Sequence, residues 1–321
     1  MAMRRVRLGR TEVKVSAISV GTWAHGGPNM SGQAEIGWSG HDDRLALDAL
    51  RRAWELGMDH WDTADAYGNG HAEELIGSLW GEIPRDRIFL ATKVGWVRGP
   101  YDHYYHPEQV RQQLDRSLRN LKTDFVDLYY LHHCDFGPNG EWLEPTLDIV
   151  REAQRVGKIR YVGLSDWDSA KIVRYLDAVD PDVVQPYHNV TDKAYGASGL
   201  ADLVNERDLG VAFFSPLRHG LLLGKYDEPT TFPQGDFRNN VAEFRDPKAI
   251  ALMRANRELL KDRFASHPEP VLHGLIDALF NGNPTACVLQ GMRNPAQVDA
   301  AGRLGTLISD KEASWVRRLY R

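Results

Sequence analysis

Residues 60–67 read HWDTADAY, placing two carboxylates and, five positions beyond the first of them, a phenol in one short run. Asp62 ends a strand-like stretch, and Tyr67 stands in the loop that follows. A phenol keeps its proton at neutral pH, since its ordinary pKa is near ~10. A neighbouring ammonium stabilises the phenolate and lowers that value. Lys93, at the end of IFLATK, is of the type to do so. Asp62 would make such a lysine tolerable in a partly dry site by pairing with it. His132, at the end of DLYYLH, adds a hydrogen-bond donor for a substrate oxygen. Together the four describe a proton-transfer site in which Tyr67 acts as acid toward a carbonyl or as base toward an alcohol. Singly, each has a plainer reading as a solvated strand end, a rim histidine or a cap for the next helix. What favours chemistry is that they form a matched set.

Such a set needs elements that bring distant residues to one place. Strand-like and helix-like patterns alternate along the whole chain. The strand candidates are AISVG, MDHWDT, RIFLATK, FVDLYYLH, IRYVGLS, DVVQPYH, VAFFSPL and ACVLQG, each followed by a helical pattern. DRLALDALRRAWELG has apolar residues at helical spacing, and PEQVRQQLDRSLRNL opens on Pro107, where a missing N–H costs nothing. Helices are also expected through AIALMRANRELLKDRF and VLHGLIDALF. Strict alternation predicts a parallel sheet, and eight units in a chain of this length predict a (β/α)8 TIM barrel as a single domain over 1–321. A doubly wound sheet is the alternative, but no GxGxxG occurs to serve its phosphate turn. In a barrel the active site lies at the C-terminal strand ends, where Asp62, Lys93, His132, Ser165, Gln185 and Phe214 fall.

Composition narrows the function. The 44 acidic and 39 basic residues leave a formal net charge of −5, which favours neither nucleic acid nor an anionic membrane as partner. No apolar run approaches a membrane span, and MAMRRVRLGR is followed by no apolar segment of a secretory signal. Cys134 and Cys287 are far apart and form no CxxC, so a reducing cytoplasm is expected.

The motifs LGRTEVKVSAISVGTW, DTADAYGNGHAEELIG, ATKVG, DLYYLHHCD, GKIRYVGLSDW, QPYHN, FFSPLRHGLLLGKY and GMRNPAQV make the chain resemble the aldo-keto reductases over essentially its whole length. GKYDEPTTFPQGDFR is most similar to bacterial members related to inositol-operon reductases. The resemblance implies a barrel with an N-terminal β-hairpin and extra C-terminal helices, no metal, and a nicotinamide cofactor bound without a Rossmann fold. It places the catalytic tetrad on Asp62, Tyr67, Lys93 and His132. His133 cannot face the site as His132 does, because side chains alternate along a strand. By the same resemblance Ser165 and Gln185 hold the carboxamide, Phe214 stacks on the nicotinamide, and Thr22 and Trp23 line the floor beside it. Ser215, Leu217, Lys225 and Arg238 would wrap the pyrophosphate, and Gly291, Arg293 and Gln297 would meet the adenosine end. Asp166 stands where Asn is frequent, and Ala300 and Ala301 where many members carry Glu or Asn, which predicts a looser grip on the amide and the adenine. Arg293 suits a 2′-phosphate, so NADP(H) is expected over NAD(H).

Two loops are expected to shape the substrate pocket: residues 24–40, with Trp38, and residues 95–107, with Trp96, Tyr101, Tyr104 and Tyr105. The stretch 218–245 is too long for an ordinary βα loop and is expected to strap the cofactor. The reading is of an NAD(P)H-dependent oxidoreductase acting on a small-molecule carbonyl or the matching alcohol. A nicotinamide-binding regulatory barrel with little turnover, like the potassium-channel β subunits, is the alternative. A metal-dependent barrel hydrolase is disfavoured, since no HxH stands on an early strand.

Overall fold

The computed structural model describes residues 3–320. Met1, Ala2 and Arg321, the ends of the expected domain, lie outside the described residues. A hairpin pairs Arg5–Arg7 with Lys14–Ser16 in antiparallel register. The barrel strands follow: β1 Ile18–Gly21, β2 His60–Asp62, β3 Phe89–Val94, β4 Val126–Leu131, β5 Ile159–Asp166, β6 Val183–Pro186, β7 Gly210–Phe213 and β8 Ala286–Gly291. They pair in parallel in chain order and close, β8 on β1 and β5 on β6. Seven of the sequence-derived strands agree within a residue or two, while VAFFSPL runs four residues past the end of β7 at Phe213. Their near-continuous apolar character has a direct cause: β3 and β4 are buried at every position, one face inside the barrel and the other under helices.

The crossover helices start where their sequence signals fall. Asp42 caps Asp43–Glu55 by accepting from the Leu45 amide at 2.9 Å, and Pro107 opens Pro107–Asn120. The segment 270–280, expected as one helix, is broken into a short α turn, a π turn at His273–Asp277 and a 3₁₀ turn. Its Asp277 reaches across to accept from the Gly305 amide at 2.8 Å and the Thr306 hydroxyl at 2.9 Å. The extra C-terminal helices are Pro295–Ala301 and Asp310–Leu319. Inside the barrel, Tyr130 lies against Gly163, where a Cβ would fall 2.2 Å from the tyrosine ring. Among the described residues no helix is long and apolar enough to cross a membrane.

Two irregular segments roof the C-terminal mouth. Gly235 O accepts from the amides of Asn29 and Gly37, both at 3.1 Å, and Phe237 N donates to Gly37 O at 2.9 Å. Asp236 accepts from both the amide and the hydroxyl of Ser39, at 2.8 and 2.6 Å. Segments 24–40 and 218–245 are thus joined into one cover. Gly26 presses against the loop bearing Tyr67, where a Cβ would fall 2.4 Å from the Gly68 nitrogen.

Candidate active site

Adjacent strands deliver the polar centre. Asp62 ends β2, Lys93 lies on β3, and His132 follows β4 by one residue. Lys93 is fully buried and Asp62 nearly so. The ammonium has three N–H donors and three acceptors: Asp62 Oδ1 in a short contact, Thr63 O at 2.7 Å and Tyr67 Oη at 3.2 Å. The other Asp62 oxygen accepts from Gln185 Nε2 at 2.9 Å. Burial pushes Lys93 down and Asp62 up, and their contact opposes both shifts. The donors and acceptors around the pair are those of an ammonium and a carboxylate.

Tyr67 departs from expectation in one respect. Burial, with Asp62 and Asp65, pushes its phenol well above the ordinary value rather than below it. The lysine's charge is balanced by Asp62 at contact distance, so little of it is left to favour a phenolate. Because Tyr67 Oη accepts from Lys93, its own hydrogen points to a different partner. The ring of His132 stands edge-on to Tyr67 at 5.8 Å between centroids. Burial first, and then Lys93 and His133, hold this imidazole neutral, well below its ordinary pKa. His133 points the other way, its Nε2 2.6 Å from Gly95 O.

Two cavities meet at Tyr67. The larger, about 260 Å³, runs from Asp62 and Tyr67 past Phe214 to Lys225, Arg238 and Arg293. The smaller, about 90 Å³, is walled by Trp23, Trp96, Trp167, Phe214 and Phe237, with His132 at its inner side. Trp23, Tyr67, Gln185 and Phe214 line both. Ser215, Leu217, Gly291, Gln297 and Ala300 line the larger one. Ser165 faces the smaller and donates to Gln185 O at 2.9 Å.

Other expected residues sit elsewhere. Thr22 lines neither cavity; it follows Gly21 on the opposite face and donates to Asp62 O at 3.0 Å. Asp166 alternates away from Ser165, and its oxygens accept from the amides of Cys134 at 2.7 Å and Asp168 at 2.8 Å. Ala301 is buried in the core. Trp38, expected beside the substrate, lines the larger cavity instead. Tyr105 is fully buried and donates to His133 O at 2.6 Å, while Tyr101 stacks on His106; with Tyr104, both lie off the two cavities.

The sequence reading missed Trp167, His219 and Phe237. Trp167 directly follows β5, a position that alone marks it as a mouth residue. His219 holds a left-handed backbone (φ 60°) and is boxed by Trp23, Trp38, Trp167 and Phe237, with ring centroids 4.9–6.1 Å away. Burial pushes its pKa down to about 3.

The far end of the larger cavity fits an anionic cofactor. Arg238 is paired with Asp236 and stacked on Trp38 and Phe232, at 4.7 and 3.9 Å. Among the described residues Lys225 and Arg293 have no carboxylate in contact; burial and then nearby cations, Arg293 and Arg238 for Lys225 and Arg238 for Arg293, push both down. The Trp38 indole N–H and the Gln290 side-chain carbonyl are buried on this cavity without partners. Cations short of anions and unspent polar groups are what a long phosphate-bearing ligand needs.

A closed parallel barrel with a buried Lys–Asp–Tyr centre at the mouth of a cationic cleft defines a class of oxidoreductase barrel. The aldo/keto reductase family model matches residues 17–320, and the chain belongs to that family. It is 28% identical to the aldo-keto reductase YhdN of Bacillus subtilis, over 94% of this chain and 88% of that one. It is also 28% identical to the NADH-specific methylglyoxal reductase of Escherichia coli, over 99% and 98%. The solved glycerol dehydrogenase of Gluconobacter oxydans superposes with a TM-score of 0.81 at 25% identity, covering 99% of this chain and 95% of its own.

Proposed function

We infer that the chain is a nicotinamide-dependent reductase of small uncharged carbonyl compounds, with Tyr67 carrying the proton. The observation that carries this reading is the hydrogen-bond order at the junction of the cavities. Lys93 spends one N–H on Tyr67 Oη, so the phenol's hydrogen is directed at whatever oxygen occupies the junction. A bound nicotinamide supplies the hydride to the carbonyl carbon, or accepts it in the reverse direction. Tyr67 gives its proton to the oxygen as negative charge develops there, and Lys93 holds the resulting phenolate. His132, neutral, offers a ring nitrogen on the same side. Lys225, Arg238 and Arg293 would bind the phosphates. Their density supports NADP(H) over NAD(H), although the Escherichia coli relative is named NADH-specific. Two free, buried thiols, Cys134 and Cys287, suit a reducing cytoplasm.

The substrate class follows from the smaller cavity. Its lining carries aromatic rings, Ile36 and Ala66, and no Lys, Arg, Asp or Glu. At about 90 Å³ it is small beside the ~300–1,000 Å³ of drug-sized sites. A phosphate ester would lose its hydration there without gaining a cation. The test is fluorescence titration with NADPH and NADH, then turnover on methylglyoxal, an aromatic aldehyde and glyceraldehyde 3-phosphate. Tyr67→Phe should cut turnover about 10²–10⁴-fold, the range of general acid–base catalysis, while leaving cofactor affinity nearly intact. Near-normal turnover in that variant would sink the assignment.

A further inference from the structure

A second acid lies behind Tyr67. Asp65 is two residues before it on the same loop, 2% exposed, and among the described residues its carboxylate oxygens meet no hydrogen-bond donor beyond the neighbouring Ala66 amide. Its amide donates to Lys93 O at 3.2 Å, tying the loop to the strand that carries the lysine. The cations within reach are already committed. Lys93 spends its three N–H groups on Asp62, Thr63 and Tyr67. Arg116, on the helix Pro107–Asn120, is turned to Asn69, at 3.1 Å to the side chain and 2.6 Å to the carbonyl.

From the helix His71–Gly77, Glu73 faces Asp65 as a further buried carboxyl, already accepting from Thr92 Oγ1 at 2.6 Å and Asn120 Nδ2 at 3.0 Å. Tyr129, on β4, carries a buried hydroxyl that also lacks a partner, and it feels Asp65 more than any other charge. Tyr105, Lys93 on β3 and, from its own segment, Tyr67 are the other ionisable groups that respond to Asp65. A buried carboxylate with no cation in contact and a single amide for company takes up a proton instead of staying charged. Burial and Glu73 push Asp65 well above the usual carboxylate range, and the Ala66 amide, Arg116 and Lys93 oppose this only in part.

We propose that Asp65 is a positioning residue of the Tyr67 site: its backbone amide ties the catalytic loop to β3, and its side chain stands there as an uncharged carboxylic acid, withholding its charge from Tyr67. The proposal rests on the reading of Tyr67 as the proton-carrying group. Asp62 and Asp65 are the two charges that raise the proton affinity of Tyr67. With Asp65 neutral, the phenolate required for alcohol oxidation meets one carboxylate, and that one is neutralised by Lys93. When rising pH ionises Asp65, the second charge returns and oxidation slows.

The sign of the linked stability is fixed. An Asp raised in the folded state contributes fully below its unfolded pKa near ~3.9, and that contribution is lost as pH rises toward the folded value. Asp65→Asn has no such loss. Thermal midpoints of wild type and Asp65→Asn compared near pH 4.5 and pH 8 should show the variant's advantage widening by about 2 °C or more. The fall of the wild-type rate of alcohol oxidation with rising pH should be absent in the variant. An advantage that does not grow with pH overturns the proposal. So does oxidation tenfold faster at neutral pH in the variant, which would mean that Asp65 is already charged. If Asp65→Asn does not fold, Asp65→Ser is put through the same comparison with the same outcomes. Full turnover in Tyr67→Phe would defeat the reading of Tyr67 instead, and the stability comparison would still decide the charge of Asp65.

Discussion

Replacing Lys93 by Met removes the ammonium but keeps most of the volume of a fully buried side chain. Asp62 is then left with Gln185 as its side-chain donor. Breaking a buried pair from one side costs about 3–5 kcal/mol, because the remaining charge is neither solvated nor paired. Thr63 O and Tyr67 Oη also lose a donor. At about 1.5 °C per kcal/mol for a chain of this length, the thermal midpoint should fall by about 4–7 °C. Adding Asp62→Asn removes the stranded charge, so the double variant should regain most of that loss while staying inactive. Lys93 lines neither cavity, so dinucleotide affinity of the single variant should hold within about threefold, roughly 0.6 kcal/mol. The assay is a double-mutant cycle read by thermal unfolding, turnover and cofactor fluorescence. The reasoning is refuted if Lys93→Met costs less than about 1 kcal/mol, or if the double variant is no more stable than the single.

Two further outcomes follow from the site, beside those for Tyr67→Phe and Asp65→Asn. His132 is held well below its ordinary pKa, so it gains a proton only in more acidic solution. Carbonyl reduction should therefore show no acid limb between about pH 6 and 8; a limb there that disappears in His132→Gln would contradict this. Arg293→Ala removes one of the three cations of the larger cavity. NADPH should bind about tenfold more weakly, as for one lost charge-assisted hydrogen bond, with a smaller change for NADH; equal changes for the two would place Arg293 away from the 2′-phosphate.

The barrel was legible because eight apolar runs alternate with amphipathic helices, and burial on both faces leaves few other uses for runs such as FLATKV. The inward residues were legible for the same reason. Period-two alternation puts Lys93, Ser165 and Gln185 on the face that ends at the mouth, and puts Thr22 and Asp166 on the other, a consequence the motif resemblance obscured. Trp167, His219 and Phe237 were not legible as a group, because no periodicity governs the segments that hold them. Their meeting depends on the cover formed by segments 24–40 and 218–245, paired through Gly235 and Asp236. Tyr105 has the composition of a rim residue, yet it is a core one, since its hydroxyl finds acceptors in the His133 backbone. The phenol's upward shift was equally hidden. It depends first on how completely the phenol is buried and then on how near Asp62 and Asp65 stand, a matter of ångströms rather than residue types.

The proton centre is drawn from three neighbouring strands, β2, β3 and β4, while the cationic end of the cleft hangs on the segments after β7 and β8. The two duties therefore occupy different quadrants of the ring and share only the rings and amide at their seam. Changes in one quadrant reach the other only through Asp62, Tyr67, Gln185 and the rings of that seam, so effects away from it should add. On the proposed reading, a lineage carrying this barrel can exchange one electron donor for another, or follow a shift in the supply of either, while the chemistry at the substrate oxygen is inherited with little change.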